Sequence, residues 1–213
     1  MTPQAAEDLA GCFAGADTVS RETVGRLRVH LDMVRKWNPA INLVSRSTQA
    51  DGWTRHTRDS AQVLALAPES PGLWVDFGTG GGFPGLVVAI LLAERAPACR
   101  VRLVESDLRK ATFLREAART CGISVDVVTE RAESLSPARA DVVSARALAP
   151  LSDLCTLAHR HLAPGGRAIF LKGREHLAEI ELASQQWAFT SIVRPSITDP
   201  TAAVVALESL RHV

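Results

Sequence analysis

The chain lacks the features that mark secreted, membrane or metal-binding proteins. Its 213 residues include no tyrosine, only 5% are aromatic, and the four cysteines show no C-x-x-C spacing. Cysteines of this kind are typical of reduced, packed thiols and disfavour disulfides or a zinc site. No apolar run approaches the roughly 20 residues of a membrane span. The first residues lack the basic and apolar segments of a signal peptide. We therefore expect a cytoplasmic protein that binds no metal.

Composition indicates a well-filled core but gives no global sign of a nucleic-acid partner. Hydrophobic residues make up 46% of the chain, which is ample for one α/β domain with an extension. The net charge is only +1. Residues 21–60, however, hold eight basic residues against four acidic ones. This local excess predicts either a basic face on the N-terminal part or an ordinary solvated helical surface.

The most informative segment is a glycine-rich turn between two apolar runs. Residues 73–77 have a strand pattern, four glycines follow within residues 78–82, and a helical pattern resumes after Gly85. Glycine suits a turn whose backbone angles a Cβ resists, and it lets a ligand approach the main chain closely. The segment therefore predicts a strand, a ligand-binding loop and a helix, with a glycine-rich connection that binds nothing as the alternative.

The residues around these glycines favour a methyl donor over a dinucleotide. In the dinucleotide fingerprint, the glycines lead a pyrophosphate to a helix N-terminus. Asp76 would repel a pyrophosphate but suits the positive charge of S-adenosylmethionine, and Pro84 delays the helix. We predict that Asp76 and the bare backbone at Gly78, Gly80 and Gly82 bind this donor.

An acid at the end of the second predicted strand strengthens this interpretation. The run 100–105 ends in Glu105, twenty residues past Gly85. An acid about 20 residues beyond the glycines can accept hydrogen bonds from both ribose hydroxyls. Glu105 alone could equally be a solvated carboxylate, but together with the loop it predicts a ribose contact.

The chain divides into a helical N-terminal part, 1–72, and a donor-binding part, 73–213. In the first part, the pattern of apolar residues predicts a helix that begins at a Ser20 or Thr23 cap and ends at the Asn38-Pro39 break. A second helix is predicted from His56 to Leu66. In the second part strands and helices alternate, which predicts a seven-stranded, mostly parallel sheet with an antiparallel hairpin at its edge. The predicted strands are 73–77, 100–105, 123–129, 140–145, 166–172, 187–194 and 202–208, and the helices are 85–95, 107–121, 150–162 and 173–185.

Five motifs, in this order and spacing, resemble the bacterial 16S ribosomal RNA guanine-N7 methyltransferase family, first named glucose-inhibited division protein B. The resemblance covers the chain from about Leu27 to Lys172. It implies a Rossmann-like class I fold, S-adenosylmethionine as methyl donor, and methylation of guanine 527 in 16S ribosomal RNA or the small subunit. We expect the enzyme to be a monomer. The motifs are Trp37–Leu43, Arg55–Ser60, Asp76–Gly85, Ser144–Ala147 and Leu171–Gly173.

Carried over position by position, the resemblance assigns several donor contacts. It implies that Gly78 and Phe83 bind the donor in the loop, that the adenine ring lies beside Ala132 and Glu133, and that Arg146 contributes after the fourth strand. Ala132 and Glu133 do follow a predicted strand, at the end where ligands bind in open α/β sheets. For Glu133, an exposed acid in a short helical turn is the alternative.

Methylation of guanine N7 requires the protein to position the reacting atoms but does not require it to transfer a proton. The N7 lone pair is unprotonated at neutral pH, so we predict no general base. Alignment of the reacting atoms can contribute at most roughly 7–11 kcal/mol. Because N7 must stay free, recognition falls on O6 and the Watson–Crick edge of a splayed base. Arg146 and Lys172 are positioning candidates, and each could instead be a surface or carboxylate-paired cation. The predicted RNA contacts are Arg46, Arg55, His56, Arg58, Arg146 and Lys172.

Three other functions stay open at this point. The chain could methylate another RNA or a small molecule, transfer hydride with a nicotinamide cofactor, or bind RNA without catalysis. Asp76 and Pro84 disfavour the nicotinamide enzyme, and a pure RNA-binding module would not need a donor pocket. Binding of S-adenosylmethionine distinguishes these possibilities.

Overall fold

One seven-stranded sheet forms the centre of the protein in the computed structural model, which describes Leu9, Cys12 and residues 19–45 and 51–213. The strand order is β3-β2-β1-β4-β5-β7-β6. The first five strands are parallel, and β7 is antiparallel to both β5 and β6. The predicted α/β fold is thus confirmed. The strands are β1 Leu73–Phe77, β2 Arg100–Val104, β3 Asp126–Val128, β4 Ala140–Arg146, β5 Leu162–Lys172, β6 Trp187–Pro195 and β7 Ala203–His212.

Two hydrophobic clusters cover the two faces of the sheet. Trp74 belongs to one cluster and Val75 to the other, because successive strand side chains point to opposite faces. The α-helices are α1 Arg21–Ile41, α2 Asp59–Ala61, α3 Gly85–Arg95, α4 Leu108–Thr120, α5 Leu151–His161 and α6 His176–Ser184. Helix α1 buries Leu27 and Leu31 in the same cluster as α3 and α4. The boundary at residue 72 stays a prediction.

Helix α1 begins as predicted but ends later. The Ser20 side chain accepts a hydrogen bond from the Thr23 amide at 3.1 Å, as an N-cap does. The predicted break at Asn38-Pro39 is wrong, because the helix continues through Pro39 to Ile41. It ends where Asn42 adopts a left-handed conformation, and the Asn38 side chain accepts the Val44 amide at 2.8 Å.

The second predicted helix is a composite of three short helical types. Trp53–Arg58 is π-helical, Asp59–Ala61 is α-helical and Gln62–Leu66 is a 3₁₀ helix. The predicted start at His56 is therefore three residues late. Single π-turns occur mostly as insertions inside α-helices, and frequently at functional sites. This helical segment 53–66 places His56 and Asp59 on the sheet beside β4.

The largest differences from the predicted strand bounds are at the ends of β3, β5 and β7. β3 is limited to Asp126–Val128, because it pairs with only three residues of β2. β5 begins at Leu162 instead of 166, since Leu162 pairs with Ala140 before a register shift. β7 extends to His212, which pairs with Trp187 on β6. The apolar pattern marks the buried part of a strand and misses these exposed extensions.

Candidate functional site

The loop between β1 and α3, residues 78–84, presents bare backbone at the carboxyl edge of the sheet. Gly78, Gly80 and Gly82 have φ angles of +64°, +55° and +93°, which only glycine adopts readily. A Cβ at Gly82 would lie 2.5 Å from His30 Nε2, so this side of the loop is packed. A Cβ at Gly80 would meet nothing closer than a backbone oxygen at 3.7 Å. The loop therefore has one closed and one open face.

Asp76 ties the end of β1 to the start of α3. Its side chain is fully buried, Oδ2 accepts the Gly85 amide at 3.1 Å, and Oδ1 accepts the Ser144 hydroxyl at 2.6 Å. Ser144 in turn accepts Trp74 Nε1 at 2.8 Å. Burial raises the pKa of Asp76 to about 7, against the lowering effect of its hydrogen bonds. These bonds fix the loop, and direct contact of Asp76 with a donor stays a prediction.

Glu105 holds the loop from the neighbouring strand. It follows β2 and is almost fully buried. Its Oε2 accepts the Gly80 amide at 2.9 Å and its Oε1 accepts the Asp107 amide at 2.8 Å. Each carboxylate oxygen has a second lone pair that a ribose hydroxyl can use. The structure brings Glu105 to the loop, and its ribose role stays a prediction.

The positions predicted beside an adenine ring lie across from Gly78. Gly78, Ala132 and Glu133 line one small cavity of about 70 Å³. Leu148 partly covers it, since a Cβ at Gly78 would lie 2.7 Å from Leu148 Cδ1. His161 Nε2 donates to the Ala132 carbonyl at 3.0 Å and fixes this turn. A bound adenine therefore requires Leu148 to shift.

Phe83 is the centre of an aromatic stack that joins the loop to the N-terminal helices. Its ring lies 4.8 Å from that of His30 on α1 and 4.9 Å from that of His56. The Arg146 guanidinium lies 5.2 Å from the ring centroid, within cation–π range. Sequence reasoning missed His30. Its place between Leu27 and Leu31 on the apolar face of α1 was the available signal.

Both histidines of the stack are neutral near pH 7. Burial lowers the pKa of His30 to about 4, although its Nε2 donates to the Gly81 carbonyl at 2.8 Å. Burial, and then the positive charges of Arg146 and Arg55, lower the pKa of His56 to about 4. A neutral His56 can accept from Arg146 through Nδ1, which lies 3.3 Å from Nη2. The stack therefore carries one positive charge, on the arginine.

Arg146 lies at the end of β4 and is held in place by the helical segment 53–66. Its Nη1 is 3.2 Å from Asp59 Oδ2 and donates to the Arg55 carbonyl at 3.2 Å. Asp59 Oδ1 also accepts the Thr198 hydroxyl at 2.8 Å. Asp59 is a second site residue that sequence reasoning missed, because 87 residues separate it from Arg146.

The other predicted basic contacts are distributed unevenly. Lys172 is nearly buried, and its Nζ lies 2.6 Å from Glu179 Oε2. In this structure Lys172 is therefore paired with a carboxylate, which is the alternative to an RNA contact. Arg55 is half exposed, and its Nη1 lies 3.8 Å from Asp199 Oδ2. Arg58 lies on the same helical segment and is partly buried. Arg46 lies outside the described residues. Their roles in RNA binding stay predictions.

Arg55, His56, Arg146 and Lys172 line one cavity of about 450 Å³. The cavity lies beside the loop, because Phe83 contacts both His56 and Arg146. Within residues 19–45 and 51–213, no three histidine, cysteine or acidic side chains are grouped to hold a metal. No helix in that part of the chain is both long and apolar enough to cross a membrane.

Comparisons of the sequence with a family model and with curated proteins agree on one family. The sequence model of the family described as rRNA small subunit methyltransferase G matches residues 24–204. A protein of Cereibacter sphaeroides named ribosomal RNA small subunit methyltransferase G is 52% identical over 94% of this chain and 96% of its own length. Proteins of the same name from Ruegeria pomeroyi and Rhodospirillum centenum are each 50% identical, over 92% and 93% of this chain and 95% and 89% of their own lengths.

Solved structures share the fold at low sequence identity. A ribosomal protein L11 methylase from Lactobacillus delbrueckii has a TM-score of 0.56 at 20% identity, over 74% of this chain and 79% of its own. A mutant of MtNAS in complex with S-adenosylmethionine has a TM-score of 0.58 at 19% identity, over 87% and 73% of the two chains. The fold is that of Rossmann-like methyltransferases.

Proposed function

This chain belongs to the rRNA small subunit methyltransferase G family, and we propose that it transfers a methyl group from S-adenosylmethionine to N7 of guanine 527 in 16S ribosomal RNA. The names of its relatives support the small-subunit RNA as substrate. The choice of N7 and of guanine 527 rests on the motif resemblance. Since the substrate is ribosomal RNA, we place the reaction in the cytoplasm.

The open face of the loop at Gly80 is the observation that carries the donor assignment. Three glycines with positive φ hold the loop in a shape that leaves this face without side chains. Glu105 lies directly behind it, bonded to the Gly80 amide. A buried acid beside bare backbone fits a ligand with ribose hydroxyls and a positive charge. The residues present therefore fit S-adenosylmethionine.

Each part of the donor has a matching group on this edge of the sheet. Gly80, Gly82 and Phe83 would contact the methionine part, and Gly78 would contact the donor beside the adenine. Glu105 would accept the ribose hydroxyls, and Ala132 and Glu133 would border the adenine. Asp76 would act mainly by holding the loop in place through its hydrogen bond to the Gly85 amide.

The chemistry needs alignment and a protected cavity. The donor, when bound, supplies a methyl group on a positively charged sulfur. Guanine N7 is an unprotonated nucleophile, so no side chain has to remove a proton. Arg146, fixed by Asp59 and stacked on Phe83, lies between the loop and the cavity of about 450 Å³. We assign it the positioning of the base or its phosphate against the donor.

The N-terminal part, residues 1–72, would then serve the RNA. Arg55, His56 and Arg58 lie on the helical segment 53–66, and the first two line the cavity. Arg46 is retained as an RNA contact from the sequence. Any contact of these arginines with phosphate would weaken with added salt. Residues 73–213 would bind the donor.

Methyl incorporation into small ribosomal subunits tests this function. Subunits that lack the mark are incubated with protein and S-adenosylmethionine labelled in the methyl group. Label in the 16S RNA, with calorimetric binding of the donor and none of NAD, is the expected result. Donor binding without incorporation into any RNA contradicts the proposal and favours a different acceptor. If the protein binds NAD and does not bind S-adenosylmethionine, the assignment of the methyl donor is contradicted.

A further inference from the structure

The cavity beside the donor loop holds a carboxylate, that of Asp199, to which the proposed function assigns no role. Asp199 lines the cavity from the turn between β6 and β7, and Arg55 lines it from the helical segment 53–66. Arg146 and Lys172 line it from the ends of β4 and β5. The volume of about 450 Å³ leaves room for one purine that has left its stack.

Most charges in this cavity already have a close partner. Arg146 lies 3.2 Å from Asp59, and Asp59 also accepts the Thr198 hydroxyl at 2.8 Å. Lys172 lies 2.6 Å from Glu179. These pairs set the shape of the cavity, but their charges are largely compensated.

Arg55 and Asp199 are in looser contact. Arg55 Nη1 lies 3.8 Å from Asp199 Oδ2, which is too long for a hydrogen bond, and the side chains are 48% and 38% exposed. Asp199 is nevertheless held in place, because its Oδ1 accepts the Thr201 amide at 2.9 Å and hydroxyl at 2.7 Å. These bonds also lower the pKa of Asp199, so it is ionised at neutral pH.

We propose that Asp199 and Arg55 together select guanine as the base to be methylated. The carboxylate would accept hydrogen bonds from N1–H and the N2 amine of guanine, and the guanidinium would donate to O6. Adenine presents the opposite pattern there, an acceptor at N1 and an amine at position 6. Both contacts leave N7 free to face the loop. This inference rests on the proposed function.

Inosine at the target position tests the role of the carboxylate. Inosine keeps N7, O6 and N1–H but lacks the N2 amine. Reconstituted subunits with guanine or inosine at that nucleotide are methylated by the wild-type protein and by Asp199→Asn. We expect the wild type to prefer guanine in kcat/KM by roughly 10- to 100-fold, the effect of a lost hydrogen bond to a charged group. In Asp199→Asn the preference should fall to less than about threefold.

Two variants separate recognition from general damage. Arg55→Gln should lower kcat/KM about equally on both subunits, because O6 is present in both. Asp126→Asn removes a surface carboxylate that pairs with Arg102 at 2.7 Å on the far edge of the sheet, and it should match the wild type. Thermal unfolding and donor affinity should be unchanged in Asp199→Asn.

The outcomes distinguish this inference from the function on which it rests. Wild-type protein that methylates neither subunit overturns both. If the wild type methylates the guanine subunit and Asp199→Asn shows the same preference for guanine over inosine as the wild type, the inference alone is overturned. Loss of donor affinity in Asp199→Asn also overturns it, since the residue would then support the fold of the site.

Discussion

The donor side and the acceptor side of this site are built in different ways. The donor loop is held by backbone amides that bond to two buried acids: Asp76 on β1 and Glu105 directly after the neighbouring strand β2. The acceptor cavity is held by side chains from distant segments, such as Arg146 with Asp59. The first arrangement fixes the shape of the loop through hydrogen bonds to its backbone, and the second displays charged side chains to a ligand. The donor side should therefore tolerate fewer substitutions, and the acceptor side should set specificity.

The largest effect is expected from a side chain on the open face of the donor loop. Gly80→Val forces a branched residue into a positive φ and fills the space predicted for the donor. We expect donor affinity to fall more than about 100-fold, because only bare backbone can approach the ligand. Calorimetric titration with S-adenosylmethionine measures it.

Gly122→Val is the matched control for this variant. Gly122 has a φ of +67° with nothing within 4 Å of an added Cβ, so the backbone strain is similar. It follows α4, away from the loop. Normal donor binding by Gly80→Val, or equal losses in both variants, would contradict the donor assignment.

A smaller effect is expected on the acceptor side from Arg146→Ala. The variant removes the positive charge between Phe83 and the cavity and leaves Asp59 without its ion pair. We expect kcat/KM for the small subunit to fall roughly 10- to 100-fold, the cost of a lost charged hydrogen bond. Donor affinity should change several times less. Steady-state methylation with each substrate varied in turn tests this, and a loss confined to donor affinity would place Arg146 on the donor side instead.

Asp76 and the two buried histidines, His30 and His56, should respond oppositely to acid. The pKa of Asp76 is raised from 3.8 to about 7 on folding, so its stabilising effect is present below pH 3.8 and is lost as the pH rises through 7. The pKa of His56 is lowered from 6.5 to about 4, so its effect is present above pH 6.5 and is lost as the pH falls through 4. Between these values the two slopes oppose each other.

Asp76→Asn should expose the histidine slope. Between pH 6.5 and 4, the free energy of unfolding of the variant should fall on acidification more steeply than that of the wild type, by at most about 1.4 kcal/mol per pH unit. Urea unfolding at several pH values measures this difference. Parallel curves for the two proteins would show that Asp76 does not titrate in this range.

The smallest effect is expected where the N-terminal helix supports the loop. His30→Leu removes the 2.8 Å hydrogen bond to the Gly81 carbonyl but keeps an apolar side chain against Phe83. An unpaired buried carbonyl costs about 1–3 kcal/mol, part of which should appear as a loss in donor affinity of about fivefold. The KM for the small subunit should stay unchanged. Met33→Leu on the same helix is the control, and a matching loss there would indicate a general effect on α1.

The sequence predicts the local structure of the donor side well, because the residues that form it are close together along the chain. The strand, the glycines and the helix start lie within residues 73–85, and Glu105 ends the next strand. Hydrophobic periodicity likewise predicts the seven strands along the chain, though not the exposed ends of β5 and β7. It also places the end of α1 too early, since the Asn42 turn and the Asn38 side chain decide it.

On the acceptor side the sequence predicts the basic residues that line the cavity but not their partners, because those contacts join distant residues. Asp59, Arg146 and Thr198 meet across 87 and 139 positions of the chain. Nothing local to Asp199 distinguishes it from a solvated turn residue. His30 looks like any polar residue on a helix until the loop is folded against it. Such residues are identified only by the tertiary packing that brings them together.

The most direct test of the whole account is to map the methylated nucleotide. Small subunits lacking the mark are incubated with the protein, with and without S-adenosylmethionine, and the 16S RNA is cleaved chemically at N7-methylguanine. We expect donor-dependent cleavage at guanine 527, present with wild-type protein and absent with Gly80→Val. Methylation at another nucleotide or another atom, or none at all, would contradict the account.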